Sequence, residues 1–134
     1  RLSGKILLLG FSKSGNGAVT LKLRHPGRFA AATAWDAPLL LDAPGKYGSG
    51  DIYGTPENFA GYHIPSLLER HAGAKDLNLA ISGYGSFQAE VAGAHEKMAK
   101  LGIAHHYDNT EKRVHHWASG WMEPAMATLD RLTR

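Results

Sequence analysis

The sequence predicts an α/β fold, a parallel sheet flanked by helices, and three observations carry that prediction. Short apolar runs recur along the chain and end at glycine or at a turn, as strands do. Segments with helical spacing stand between them, giving the order strand, helix, strand, excursion, strand, helix, strand, helix. With 134 residues, 43% hydrophobic and 20% charged, the composition is that of one ordinary globular domain, spanning 1–134.

Each element has its own signal. Lys5–Leu9 is a continuous apolar run ended by Gly10 and reads as a buried strand. Gly15 to His25 carries Ala18 and Leu21 on one side and is stopped by Pro26-Gly27, so it reads as a helix. Phe29–Trp35 is a second strand, placed by position more than by propensity, since alanine is a poor strand former. Asp36 to Thr55 is rich in glycine and proline and reads as a long surface excursion. Pro56–Tyr62 and Pro65–His71 are short helices with proline in the first turn. Leu77–Ser82 alternates into Gly83 as a third strand. Phe87–Leu101 holds Phe87, Val91, Ala94, Met98 and Leu101 at helical spacing, with Gly102 as its C-terminal cap. Ile103–Tyr107 is the fourth strand, and Met122–Leu132 a last helix with Met122, Met126 and Leu129 in one stripe.

Several function classes are set aside by composition. There is no cysteine, which removes disulfide scaffolds, thiolate metal sites and cysteine nucleophiles. The net charge is +3, but lysine and arginine are interleaved with acids and form no stripe for nucleic acid. The longest apolar runs, Ile6–Leu9 and Phe29–Trp35, are too short to span a bilayer. No signal peptide is visible, and the chain opens on Arg1 rather than methionine, as a processed or truncated piece would.

In parallel sheets ligands sit at the carboxyl ends of the strands, here just after Leu9, Trp35, Ser82 and Tyr107. After the first comes Gly10-Phe11-Ser12-Lys13-Ser14-Gly15. Strand, then small-x-Ser-x-small, then helix is the pattern of a nucleophile elbow, in which small neighbours let a serine occupy a strained turn. Gly10 and Ser14 meet that need, although the second position is more often glycine. The following helix would aim the Lys13 backbone N–H at an oxyanion. The competing reading is a glycine-rich turn that caps a helix. A phosphate loop fails because Gly15-Asn16 replaces Gly-Lys, and the dinucleotide fingerprint lacks its second glycine.

A serine nucleophile needs a base, and Arg113-Val114-His115-His116-Trp117 follows the last strand at the same sheet edge. Serine early and histidine last is the order such a hydrolase requires. Solvated loop histidines are the plain alternative. A metal cluster from His105, His106, His115 and His116 is disfavoured, because adjacent histidines on a strand face opposite ways and no carboxylate lies at ligand spacing.

Gly10-Phe11-Ser12-Lys13-Ser14-Gly15-x-Gly17-Ala18, Arg24-His25-Pro26-x-x-Phe29-Ala30-Ala31, Gly54-Thr55-Pro56-Glu57-Asn58-Phe59 and the His115-x-Trp117 ending together resemble the serine esterases of the α/β-hydrolase superfamily. The group resembled includes feruloyl esterases, esterase D and mycolyltransferases. The resemblance covers nearly the whole chain. It is specific at Ser12 and His115 and loose between them. It implies that the four strands are strands five to eight of that fold, the C-terminal half, and that earlier strands and the second oxyanion donor would precede Arg1. The sheet would then have an open inner edge, a place for association.

The resemblance places the triad acid after the seventh strand, near Gly85 or Ser86, where this chain has no carboxylate. Glu90 is the nearest but falls inside the helix. Asp36 ends the sixth strand, twenty-four residues after Ser12, a spacing similar to that of the pancreatic lipase group. The competing reading is a turn aspartate capping the Asp36-Ala37-Pro38 bend. Asp36 is preferred over Glu90.

The function expected is cleavage of carboxylic esters through an acyl-enzyme. Ser12 attacks, His115 rather than His116 moves the proton, Asp36 or Glu90 orients the imidazole, and no metal or organic cofactor takes part. The substrate would be a small-molecule or carbohydrate-linked ester, with Tyr47, Tyr53 and Trp121 as candidate pocket walls. A non-catalytic binding module of the same fold and an acyltransferase with the same triad are the alternatives.

Overall fold

The computed structural model describes residues 4–134; Arg1, on which the expectation of a truncated piece rests, lies outside them. Four parallel strands, β1 (Leu7–Phe11), β2 (Ala31–Trp35), β3 (Leu79–Ser82) and β4 (His105–Asp108), lie in chain order across one sheet. The register pairs Phe11 with Trp35 and Trp35 with Ser82, so the strand ends come level at one edge. The helices are α1 (Lys13–Arg24), α2 (Ser49–Tyr53), α3 (Pro56–Ala60), α4 (Ile64–Glu69), α5 (Gln88–Lys100) and α6 (Met122–Thr133).

Alternation along the strands divides the core in two. Ala32, Ala34, Leu79 and Ile81 pack with Val19 and Leu23 of α1, Leu67 and Leu68 of α4, and Val91, Ala94 and Met98 of α5. Trp35 packs with Trp121 and Ala125, with Leu9 and Phe11 against them. The alanines of β2 read as weak strand formers, but every residue of that strand is buried. Small side chains on a central strand let α1 approach closely, which is why position overrides propensity here.

The structure corrects four expectations. The first strand is shifted two residues, to Leu7–Phe11, and includes Gly10. It is not buried, because β1 is an edge strand among the described residues and Ile6 and Leu7 stay 45% and 39% exposed. The segment after β2 is not all surface, since Asp36, Ala37, Pro38, Leu39 and Leu41 are buried. Asn16 of α1 ties it down by donating to the Pro38 carbonyl at 2.7 Å. In α6 the buried stripe is Ala125, Thr128 and Leu129, whereas Met122 and Met126 are exposed. Trp121, fully buried just before the helix, sets that rotation. Among the described residues no helix is long and apolar enough to cross a membrane.

Candidate active site

Ser12 stands between β1 and α1 with φ 55° and ψ −125°, a conformation that L-residues avoid. Two local features hold it there. A Cβ on Gly10 would lie 2.5 Å from the Gly15 nitrogen and overlap the Ser14 carbonyl, so only glycine fits. The Ser14 hydroxyl accepts from the Phe11 N–H at 3.0 Å and donates to the Phe11 carbonyl at 2.8 Å, which ties the far side of the turn back to β1. The serine at that second small position therefore braces the turn, a role its sequence pattern does not announce. The Ser12 hydroxyl does not cap α1. Lys13 is the first residue of α1, so its N–H is one of those a helix cannot satisfy internally, at the positive end of the helix dipole.

His115 reaches the same strand edge. Its Nδ1 lies 2.5 Å from Asp36 Oδ2. The ring is held between Phe11, centroids 4.7 Å apart, and Phe87, 5.4 Å apart. Phe11 in turn stacks on Trp35 and Trp121. The imidazole is thus aimed by an aromatic wall as well as by a carboxylate. His116 is exposed, and its Nδ1 accepts from the Ala118 N–H at 3.1 Å. The loop carrying both is closed by Arg113, which donates to the Ser119 carbonyl, and by Trp121, whose indole N–H donates to the Trp117 carbonyl.

Asp36 is completely buried and sits at φ 43°. A buried carboxylate needs partners. Besides His115, its Oδ1 accepts from the Gly85 N–H at 3.1 Å and the Phe87 N–H at 3.0 Å. The loop after β3 is where the esterase resemblance would put an acid. Here that loop presents backbone donors to Asp36, the residue that follows β2, instead. Gly85 is required by contact, because a Cβ there would stand 3.0 Å from Asp36 Cγ and overlap Oδ2. The glycines flanking Tyr84 are the one sequence signal that a carboxylate arrives from elsewhere.

Among the described residues, none of the remaining candidates hydrogen-bonds to Ser12, His115 or Asp36. Glu90 is inside α5, in reach of the Leu40 N–H, Lys46 and Asp42, and burial holds its carboxyl above the usual range. One of its oxygens, Oε2, is buried without a partner. Trp121 is fully buried, stacked on Phe11 and Trp35, and lines a cavity with Ser82, Asp108 and Arg113. Tyr53 bonds Asn16 and packs on Phe59 and Tyr62. Tyr47 is 51% exposed and meets Phe87 edge-on at 5.0 Å, one ring away from His115. The four histidines weighed as a metal cluster are dispersed: His105 pairs with His95 at 2.8 Å, while His115 is on Asp36. Among the described residues no group of three or more metal-ligating side chains is assembled.

No family model matches the chain, and no curated protein matches it. Solved structures do. S-formylglutathione hydrolase (FrmB) from Staphylococcus aureus superposes with a TM-score of 0.67 at 13% identity, over 96% of this chain and 51% of that one. A ferulic acid esterase gives 0.65 at 16% identity, over 94% and 50%. Dipeptidyl peptidase 4 from Porphyromonas gingivalis gives 0.65 at 16% identity, over 95% and 19%. The chain spans about half the length of the esterases it matches, and it has the fold of the C-terminal part of an α/β-hydrolase.

Proposed function

We propose that this chain carries the nucleophile, base and acid of a serine hydrolase acting on carboxylic esters. The observation that carries the reading is the buried Asp36, held by two backbone N–H groups and bonded to His115 Nδ1, at the strand edge where Ser12 occupies a strained turn. A carboxylate on Nδ1 fixes the proton there and leaves Nε2 with its lone pair, the tautomer a general base needs. Ser12 Oγ attacks the acyl carbonyl as His115 Nε2 takes its proton. The Lys13 N–H receives the developing oxyanion. The leaving alcohol then takes the proton from His115, and water repeats the sequence to free the acid.

In this reading the second oxyanion donor, and the strand that pairs with the free edge of β1, come from outside these 134 residues. The likeness to the solved esterases supports it through the fold, and the likeness to dipeptidyl peptidase 4 makes amides the second reading. An ester and its isosteric amide at matched concentration separate the two. The direct test is Ser12→Ala, which lowers kcat by several orders of magnitude without unfolding the protein, together with His115→Ala, which does the same because the two act as one unit. Retention of more than about a tenth of kcat in either variant would contradict the roles given.

A further inference from the structure

We propose that Ser66, His63 and Asp42 form a second nucleophilic serine site, which accepts acyl groups from small apolar esters with good leaving groups. Ser66 Oγ lies 2.6 Å from His63 Nδ1. His63 Nε2 lies 3.7 Å from Asp42 Oδ1. All three side chains line one pocket of about 180 Å³, whose other walls are Ala43, Pro44, Pro56, Phe59 and Ala60. Hydroxyl, imidazole and carboxylate thus follow one another around an apolar cavity, with none of the residues at Ser12 taking part.

Local structure explains the arrangement. His63 is the extended residue just before α4 and Ser66 is the third residue of the helix, the two positions whose side chains meet across a helix N-terminus. Asp42 comes from the segment after β2. A proton on Nε2, facing Asp42, leaves the Nδ1 lone pair to accept the Ser66 O–H. A hydroxyl next to such a base gains about 10²–10⁴ in reactivity. The Asp42 side chain is 94% exposed, so its pull on His63 is screened and the imidazole carries most of the effect. The volume falls below the roughly 300 Å³ of ordinary ligand sites, which suits a short acyl chain.

The step balances simply. Ser66 Oγ bonds to the acyl carbon, its proton passes to His63 Nδ1 and on to solvent, and the bond to the leaving phenolate breaks. Ser66 sits within a helical turn rather than on an elbow, so no preorganised oxyanion site accompanies it. A missing donor costs about 10²–10³ in rate, which also slows hydrolysis of the product, so acyl-Ser66 accumulates.

The test uses the Ser12→Ala protein, incubated with p-nitrophenyl acetate and mapped by peptide mass spectrometry. Acetyl forms on Ser66 about 100-fold faster than on the exposed loop residue Ser86. His63→Gln reduces that rate to the level of Ser86, and Asp42→Asn lowers it a few-fold. No acetyl on Ser66, a rate equal to that of Ser86, or a rate undiminished in His63→Gln overturns the proposal. Should His63→Gln disturb α4, the pH profile of Ser66 acetylation decides. Asp42 and Glu69 are the charged groups facing His63. A rate that rises with pH to a plateau supports the site, and one that climbs without a plateau refutes it.

Discussion

Replacing Gly85 by alanine tests the site through a residue with no chemistry of its own. Gly85 lies outside the left-handed region, so alanine strains nothing in the backbone. The added methyl would stand 3.0 Å from both Asp36 Cγ and the His115 amide nitrogen, and it would overlap Asp36 Oδ2. Carbon atoms prefer about 3.5–4.0 Å, so the carboxylate must retreat by roughly 0.5–1 Å from its place under the imidazole. A displacement of that size costs about 10² in rate, and complete loss of the acid's orienting role about 10⁴. We expect kcat to fall within those bounds, KM to change little, and stability to drop by about 1–3 kcal/mol from overpacking. Initial rates on a p-nitrophenyl ester and a urea unfolding curve measure both. Gly17, where an added Cβ meets nothing within 4 Å, is the matched control, and Gly17→Ala retains full activity. A folded Gly85→Ala protein with kcat as high as that control would refute the placement of Asp36 beside the reacting imidazole.

Asp36→Asn keeps the size of the side chain but turns His115 into the wrong tautomer, so kcat falls by about 10⁴ while the fold persists; near-normal turnover would show that another group orients the base. Glu90→Gln acts on stability with a definite sign. Burial raises the Glu90 carboxyl above its usual value, so the folded state favours the protonated form. Its contribution is full at acid pH and is lost as pH rises through the folded-state value. Relative to wild type, Glu90→Gln therefore gains stability from acid toward neutral pH, and parallel unfolding curves across that range would contradict it.

The fold was legible because its signals are local. Glycines and prolines punctuate the chain, and apolar runs of strand length alternate with helical spacing, so the order of elements and the parallel sheet follow. What was not legible depends on which side faces a neighbour. Lys5–Leu9 has the composition of a buried strand, but burial is decided by what lies alongside, and β1 is an edge strand among the described residues. Met122 and Met126 have core character at helical spacing, yet the deep insertion of Trp121 turns α6 so that Ala125 and Leu129 face the sheet.

At the strand edge, Gly10 and Ser12 carry a pattern that spacing alone reveals. The contact between Asp36 and His115 joins residues 79 positions apart and could only be ranked among alternatives. The brace from Ser14 and the donors from Gly85 and Phe87 were invisible, because each uses backbone groups that every residue possesses. The constellation of Asp42, His63 and Ser66 escaped for the same reason as the pairing of Asp36: its carboxylate comes from a different segment.

The most direct test of the central claim is the site at which a fluorophosphonate first attaches to the active protein, mapped by mass spectrometry in three backgrounds. The account predicts a rapid adduct on Ser12 in the parent protein, the same adduct in His116→Ala, and its loss in His115→Ala. A first adduct on any other residue, or labelling of Ser12 that survives His115→Ala and vanishes in His116→Ala, would contradict it.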